Sequence, residues 1–336
     1  MSQSKNSATK QKFSLKGVWK LIKESVYGFD EDKVFKLSGS LAYFTVFSIG
    51  PMLLVIIFFA DIFYGREAVE GTIYGQIKGF VGPEAAAQIQ EIIKNASMSG
   101  KSTLTAIVGF ITLLIGTTTV FAEIQDSINS IWNLKTKPEK GWIKLILNRL
   151  LSFSIVIGLA FVLLVSLIIN GVMEAFGNRL ATMFPELAVL VIYIINLVLT
   201  FVLITLLFAT IFKVLPDAKI KWRDVMVGAI VTALLFMLGK FGITYYIGSS
   251  NIGSTYGAAG SVIILLLWVY YSAIILYFGA EFTKAYAANF GNRIYPNSYA
   301  VWIKHIDIEQ ENKTLKQEEK EKKEDNNKTP DHITVK

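Results

Sequence analysis

Apolar residues run through this chain in long unbroken blocks, not in the spacing of a soluble amphipathic helix or strand. The blocks fall at Leu37–Ala60, Thr103–Phe121, Leu150–Val172, Leu187–Phe212, Val225–Ile247 and Ala258–Ala280. About 20 consecutive apolar residues cross the hydrocarbon core of a bilayer. A buried helix of a soluble core explains one such block but not six. The expected fold is therefore all-α: a polytopic membrane protein of six transmembrane helices with short external amphipathic helices. Three regions follow: a lysine-rich segment 1–36, a transmembrane domain 37–290 that includes an external helical segment 61–102, and a tail 291–336. Beyond Ile308 the tail is mixed charge with almost no apolar content, so most of it is expected to be disordered.

The polar stretches between the blocks carry their own periodicity. In PEAAAQIQEIIKNA, Pro83 suits a first helical position and Glu84 suits the positive end of the helix dipole. Ala85, Ile89, Ile92, Ile93 and Ala96 share one face. This predicts an external amphipathic helix, either a packed cap or a lid over a substrate path. In FAEIQDSINSIWN, Phe121, Ile124, Ile128 and Ile131 form an apolar stripe beside the polar Glu123, Asp126, Ser127, Asn129 and Ser130. That pattern predicts a continuation of the second span with Trp132 at the membrane interface. Its polar side is either a solvated face or a cytoplasmic gate.

Charge orients the spans. Of the 33 Lys and Arg residues, 27 lie in the two terminal segments, the loop after span two and the loop after span four. Five lie in the alternate loops, and Lys240 is inside a span. The positive-inside rule places both termini in the cytoplasm. The net charge of +7 reflects this bias and is spread over every inner loop, so no nucleic-acid partner is expected. No secretory signal pattern is expected at the lysine-rich start. With no cysteine, disulfides and thiolate metal sites are excluded. The two histidines, His305 and His332, both follow the last block, and neither a metal nor a cofactor is expected.

One lysine breaks the apolar pattern. Lys240 precedes the glycines of FMLGKFGITYYIGSSNIGSTYGAAGS, and apolar helices flank them. A phosphate loop places its lysine after the glycines, between a strand and a helix, so that reading fails. Gly248 can end the fifth span, and Gly253, Gly257 and Gly260 permit close helix approach. An intramembrane charge is costly and faces a bundle interior or a water-filled cavity. Asn196 lies at a similar depth to Lys240. Pro51 interrupts the hydrogen-bond ladder of the first span and leaves the Phe47 carbonyl wanting a partner. Lys240 is then either structural, bonded to carbonyls and Asn196, or a cavity charge that meets an anionic ligand. Glu281, near the inner end of the sixth span, is expected to pair with Arg223 or Arg149, either as a fixed ion pair or as a gate latch.

The segments DKVFKLSGSLAYFTVFSIGPML, EIQDSINSIWN, PDAKIKWRDVMVGAIVTALLFMLGKFG and STYGAAGSVIILLLWVYYSAIILYFGAEFTK occur in this order over residues 30–290. Together they resemble the YihY/BrkB family of bacterial inner-membrane proteins. The matching residues include Ala42, Tyr43, Pro51, Asn129, Trp132, Lys240, Tyr256, Gly257, Trp268, Tyr270, Gly279 and Glu281. The resemblance implies six spans with both ends inside and a link to envelope lipids; the family has also carried a ribonuclease label.

These observations favour a transporter or flippase for an anionic or amphiphilic envelope molecule. Lys240, Asn196, Pro51, Tyr43, Tyr256 and Tyr270 are the substrate-path candidates. Asn170 and Ser261 add polar groups within the spans. Glu123, Asp126, Asn129 and Glu281 are the cytoplasmic gate candidates. The partners implied are membrane lipids, with an anionic lipid or amphiphile as substrate, and a homo-oligomer is compatible with the sequence. A structural scaffold is the alternative. A hydrolase ranks below both, because nuclease chemistry usually needs clustered metal ligands or a placed histidine.

Overall fold

A computed structural model describes residues 15–48, 83, 86–88, 90–91, 119–137, 185–250, 256 and 259–303. The second and third apolar blocks lie outside these residues apart from 119–121. So do the first block after residue 48, Pro51 with it, and most of the external segment. The helical positions at Pro83, 86–88, 90 and 91 agree with a helix starting there; its apolar face lies outside the described residues.

The described chain is mostly helical. Helix α1 spans Leu15–Glu31, α2 occupies 34–48 and α3 occupies 119–131. Three long helices follow: α4 at Pro185–Val214, α5 at Trp222–Ser249 and α6 at Gly260–Asn289. They contain three stretches long and apolar enough to cross a membrane, Tyr193–Val214, Trp222–Ser249 and Val262–Asn289. All three correspond to expected spans, but α6 runs nine residues past the predicted Ala280. In EFTKAYAAN, the sequence of that extension, Lys284 reaches Asp32 just past α1 and Asn289 bonds Lys20 and Glu24 of α1.

Helix α4 is apolar on all sides, the pattern of a helix without a water-facing side. Its first half exposes Tyr193, Ile194, Ile195 and Val198, while Leu203, Ile204, Phe208 and Phe212 are buried against the other helices. Phe212, Phe208, Phe236 and Trp268 form a chain of ring contacts across α4, α5 and α6, with centroids 6.1, 5.8 and 6.0 Å apart. Val34 and Leu41 of α2 and Ile124, Ile128 and Ile131 of α3 complete this core.

The closest packing joins α5 to α6, and it rests on one five-residue pattern used twice. α5 carries Gly228-Ala229-x-x-Thr232 and α6 carries Gly279-Ala280-x-x-Thr283. The helices run antiparallel, so Gly228 faces Thr283 and Thr232 faces Gly279; a Cβ on either glycine would overlap the facing threonine. Both alanines are fully buried. Each threonine donates its hydroxyl at 2.7 Å to the carbonyl of its own glycine, so neither leaves an unpaired polar group in the seam. Small residues permit this approach where apolar side chains gain nothing by leaving lipid.

Short strands, not anticipated by the all-α reading, close one end of the helices. β1 (Leu134–Thr136) pairs antiparallel with β4 (Ala300–Trp302), placing Lys135 opposite Val301. β2 (Ala218–Lys219) pairs antiparallel with β3 (Tyr295–Pro296). The chain after α6 thus returns to cover the loops after α3 and α4. Asn133 permits the sharp exit from α3 by adopting φ 56°, a conformation asparagine tolerates.

Candidate functional site

Asp217 lies in the loop between α4 and β2 and is 1% exposed. It collects hydrogen bonds from groups far away in sequence. The Gln125 amide donates to Oδ1 at 2.8 Å, while the Asn129 amide (3.0 Å) and the Thr136 hydroxyl (2.9 Å) donate to Oδ2. The Asp217 backbone N–H donates to Asn129 Oδ1 at 2.8 Å, and Asn297 N–H donates to the Asp217 carbonyl at 2.9 Å. Tyr299 stands beside the carboxylate, and burial, with the Asp217 charge second, pushes its phenol up. One carboxylate therefore ties α3, β1, the loop before α5 and the segment after α6. Hydrogen bonds to a carboxylate, such as those from Gln125, Asn129 and Thr136, are among the stronger kinds. We call this arrangement the clasp.

The clasp corrects two expectations about α3. Gln125, Ser127 and Asn129 are nearly as buried as the isoleucines, so this side of the helix is not a solvated face. Trp132 is 4% exposed and does not sit at a membrane interface. Its indole N–H donates at 3.0 Å to the carbonyl of Ala280, within the α6 half of the glycine–threonine seam. Both corrections have one cause: α3 packs inside the bundle, where a second polar partner, Asp217, receives its amides. Of the other gate candidates on α3, Glu123 is half-buried and Asp126 is exposed.

A second buried carboxylate, Asp224, sits in the first turn of α5, where the helix dipole favours negative charge. It accepts the backbone N–H of Asn292 at 2.9 Å and fixes the turn that leads away from α6. The third is Glu281, whose side chain is 3% exposed. Its expected partner Arg223 is corrected. Residues two apart point to opposite sides of a helix, so Glu281 faces away from the α5 seam defined by Gly279 and Thr283. Its basic neighbour is Lys284, 3.5 Å away on the same helix, and Lys284 also reaches Asp32 at 3.0 Å. Gly28 of α1 packs directly against the Glu281 carboxyl, which a Cβ there would displace. The alternative partner, Arg149, lies outside the described residues. Glu281 is thus joined to the α1–α2 corner and is separate from the clasp.

Among the described residues, the substrate-path candidates Lys240, Asn196, Tyr43, Tyr256 and Tyr270 differ in exposure, and Pro51 lies outside those residues. Lys240 is half-buried on α5. Asn196, expected beside it, lies on an exposed face of α4, and Tyr43 and Tyr256 are also exposed. Tyr270 is half-buried, with its ring near Gly39 of α2. Sequence reasoning missed Gln125, Thr136 and Tyr299 as clasp members and Asp32 and Lys284 as partners of Glu281. The twice-used Gly-Ala-x-x-Thr pattern was the one local signal available for the seam.

Comparison with known proteins decides the family. The sequence matches the family described as Virulence factor BrkB over residues 25–299. The chain belongs to the BrkB family. It is 30% identical over 266 residues to a UPF0761 membrane protein of Stenotrophomonas maltophilia strain K279a, covering 77% of this chain and 59% of that protein. It is also 30% identical over 268 residues to a UPF0761 membrane protein of Psychromonas ingrahamii, covering 76% and 83% respectively. This BrkB-family chain therefore spans well under two thirds of the Stenotrophomonas relative's length. No solved structure matches it. The clasp, the glycine–threonine seam and the Glu281 cluster all fall within the matched region, and the chain is an integral membrane protein.

Proposed function

We propose that this BrkB-family protein is a six-span transporter or flippase of the bacterial inner membrane, acting on an anionic or amphiphilic envelope molecule, with the Asp217 clasp as its inner gate. The observation that carries the reading is the clasp itself. Asp217 gathers four segments at one end of spanning helices, its carboxylate accepting from Gln125, Asn129 and Thr136 and its carbonyl from Asn297. Such a closure can part when water takes over these hydrogen bonds. The excess of Lys and Arg in the loops at this end supports a cytoplasmic position for it. Lys240, the single Lys or Arg within the apolar blocks, supplies the positive charge for the substrate's anionic group.

The absence of native cysteine permits a direct test. Lys135→Cys with Val301→Cys places a cysteine pair at facing positions of β1 and β4, both exposed. In proteoliposomes carrying fluorescent anionic lipids, the oxidised pair should block translocation and reduction should restore it. Lys240→Met should leave the protein folded and abolish movement of anionic lipid, whereas Lys240→Arg should retain part of it. The competing reading, a structural scaffold, is favoured by how completely the clasp satisfies Asp217. It predicts that proteoliposomes show no translocation whether the pair is oxidised or reduced and that Lys240→Met complements a deletion strain fully, and that result would overturn transport.

A further inference from the structure

Helix α1 presents three faces, and one of them is buried. Gly17, Leu21 and Ser25 recur every four residues and are buried. Leu21 packs against Phe282, Ala285 and Tyr286 near the end of α6. At the far end of this contact, Asn289 accepts from Lys20 at 3.2 Å and donates to Glu24 at 2.6 Å. About 120° around the helix lies an apolar face: Trp19 is 71% exposed, Ile22 40% and Val26 54%. The remaining face carries Lys16, Lys20 and Lys23, all exposed. A soluble helix does not leave a tryptophan and two β-branched residues bare beside a row of lysines, but a helix lying at a bilayer surface requires that combination.

We propose that α1 is an interfacial anchor, with Trp19, Ile22 and Val26 inserted at the headgroup boundary and Lys16, Lys20 and Lys23 drawing anionic lipid headgroups to that edge of the protein. Two observations select a bilayer over a protein partner. α1 is fastened to the last turns of a helix that is itself long and apolar enough to span, so it sits where such a span ends. The charge beside the apolar face is of one sign along Lys16, Lys20 and Lys23, complementary to an anionic leaflet. A second copy of the same face would bring lysine against lysine. Long lysine side chains can also lie along the apolar surface while their ammonium groups reach the phosphates. The inference rests on membrane residence alone and stands whether or not the protein transports anything.

The test uses the full-length chain in nanodiscs with single nitroxide labels at Ile22→Cys, Val26→Cys or Lys23→Cys, all exposed positions away from the α6 contact. Collisions with oxygen, which concentrates in lipid, are compared with collisions with an aqueous nickel complex. Labels at 22 and 26 should favour oxygen and the label at 23 should favour nickel. Replacing part of the phosphatidylcholine with phosphatidylglycerol should shift 22 and 26 deeper. Changing Lys16 and Lys20 to Gln, with Lys23→Gln added in the variants labelled at 22 or 26, should abolish that shift. Nickel access at 22 and 26 equal to that at 23 would overturn the anchor. Shielding from both reagents would indicate a protein or a second copy on this face and would overturn it equally. A depth indifferent to phosphatidylglycerol would remove the anionic-lipid assignment.

Discussion

Between the glycine–threonine seam of α5 and α6 and the Asp217 clasp runs a hydrogen bond from the Trp132 indole to the Ala280 carbonyl. Seam and clasp hold helices together by different means. In the seam, the threonine hydroxyls turn back to their own helices, so glycine backbone packs against threonine side chains whose hydroxyls need no partner from elsewhere. In the clasp, nearly everything depends on one carboxylate and on donors from other segments. Separating the seam would expose packed backbone and gain nothing in lipid. Opening the clasp would exchange protein donors for water, and the net value of each such hydrogen bond is modest. One pair of helices is thus held by close packing and one end of the bundle by hydrogen bonds, the contrast on which the proposed gate rests.

The largest expected effect tests the fixed half. Gly279→Leu drives a branched side chain into Thr232, whose hydroxyl, Cγ2 and Cβ all lie against the missing Cβ position. The helices would have to separate, at about 3 kcal/mol, the upper range for overpacking. The detergent-solubilised variant should show a large fall in melting temperature or no folded peak. Gly242→Leu is the control, because nothing lies within 4 Å of a Cβ placed there. If both variants melt alike, the seam is not a close backbone contact and the contrast with the clasp collapses.

A smaller effect is expected at the clasp. Asp217→Ala removes the acceptor for Gln125, Asn129 and Thr136 together. Each buried donor left without a partner is costly, but water can fill the space the carboxylate leaves and accept in its place, so we expect about 2 kcal/mol in total. Hydrogen exchange should rise at β1, β2 and the segment 295–302 while α5 and α6 stay protected. If protection falls uniformly, the clasp is part of one cooperative core and is not separately openable.

How far the sequence foretells these two regions follows from their physics. The helices α4, α5 and α6 are legible because unbroken hydropathy is a property of each segment by itself. The end of α6 is not, because Glu281 and Lys284 look like the start of a loop until α1 supplies a burying partner. The clasp is illegible for a related reason: Asp217 sits between Pro216 and Ala218 with nothing local to mark it, and its amide partners are 88 and 92 positions away. Strands of two and three residues are too short to leave a period. Trp132 reads as an interface residue by type, and only tertiary packing reveals the Ala280 carbonyl it serves. Lys240 stands out as a lone charge, but the sequence does not place Asn196 on the exposed side of α4.

The smallest expected effect separates the regions by titration. The facing groups of the seam are glycines and threonine hydroxyls, so the cost of Gly279→Leu should be the same at every pH the protein tolerates. The clasp contains Tyr299, whose phenol is raised above its usual value near 10 by burial and, second, by the neighbouring Asp217 charge. For a group raised in the folded state, the stability held by its protonated form is intact below the unfolded value and is lost as pH rises through the folded value. Wild-type stability should therefore decline from about pH 10 upward, and Tyr299→Phe should decline less steeply over the same range. The difference should be small, because Tyr299 is only half-buried and water screens part of the charge. Asp217→Asn should reduce the same slope by removing the charge while keeping the shape. Identical alkaline profiles for wild type and Tyr299→Phe would mean that the phenol does not sense Asp217, and the clasp would then end at Thr136 without including the segment after α6 through its tyrosine.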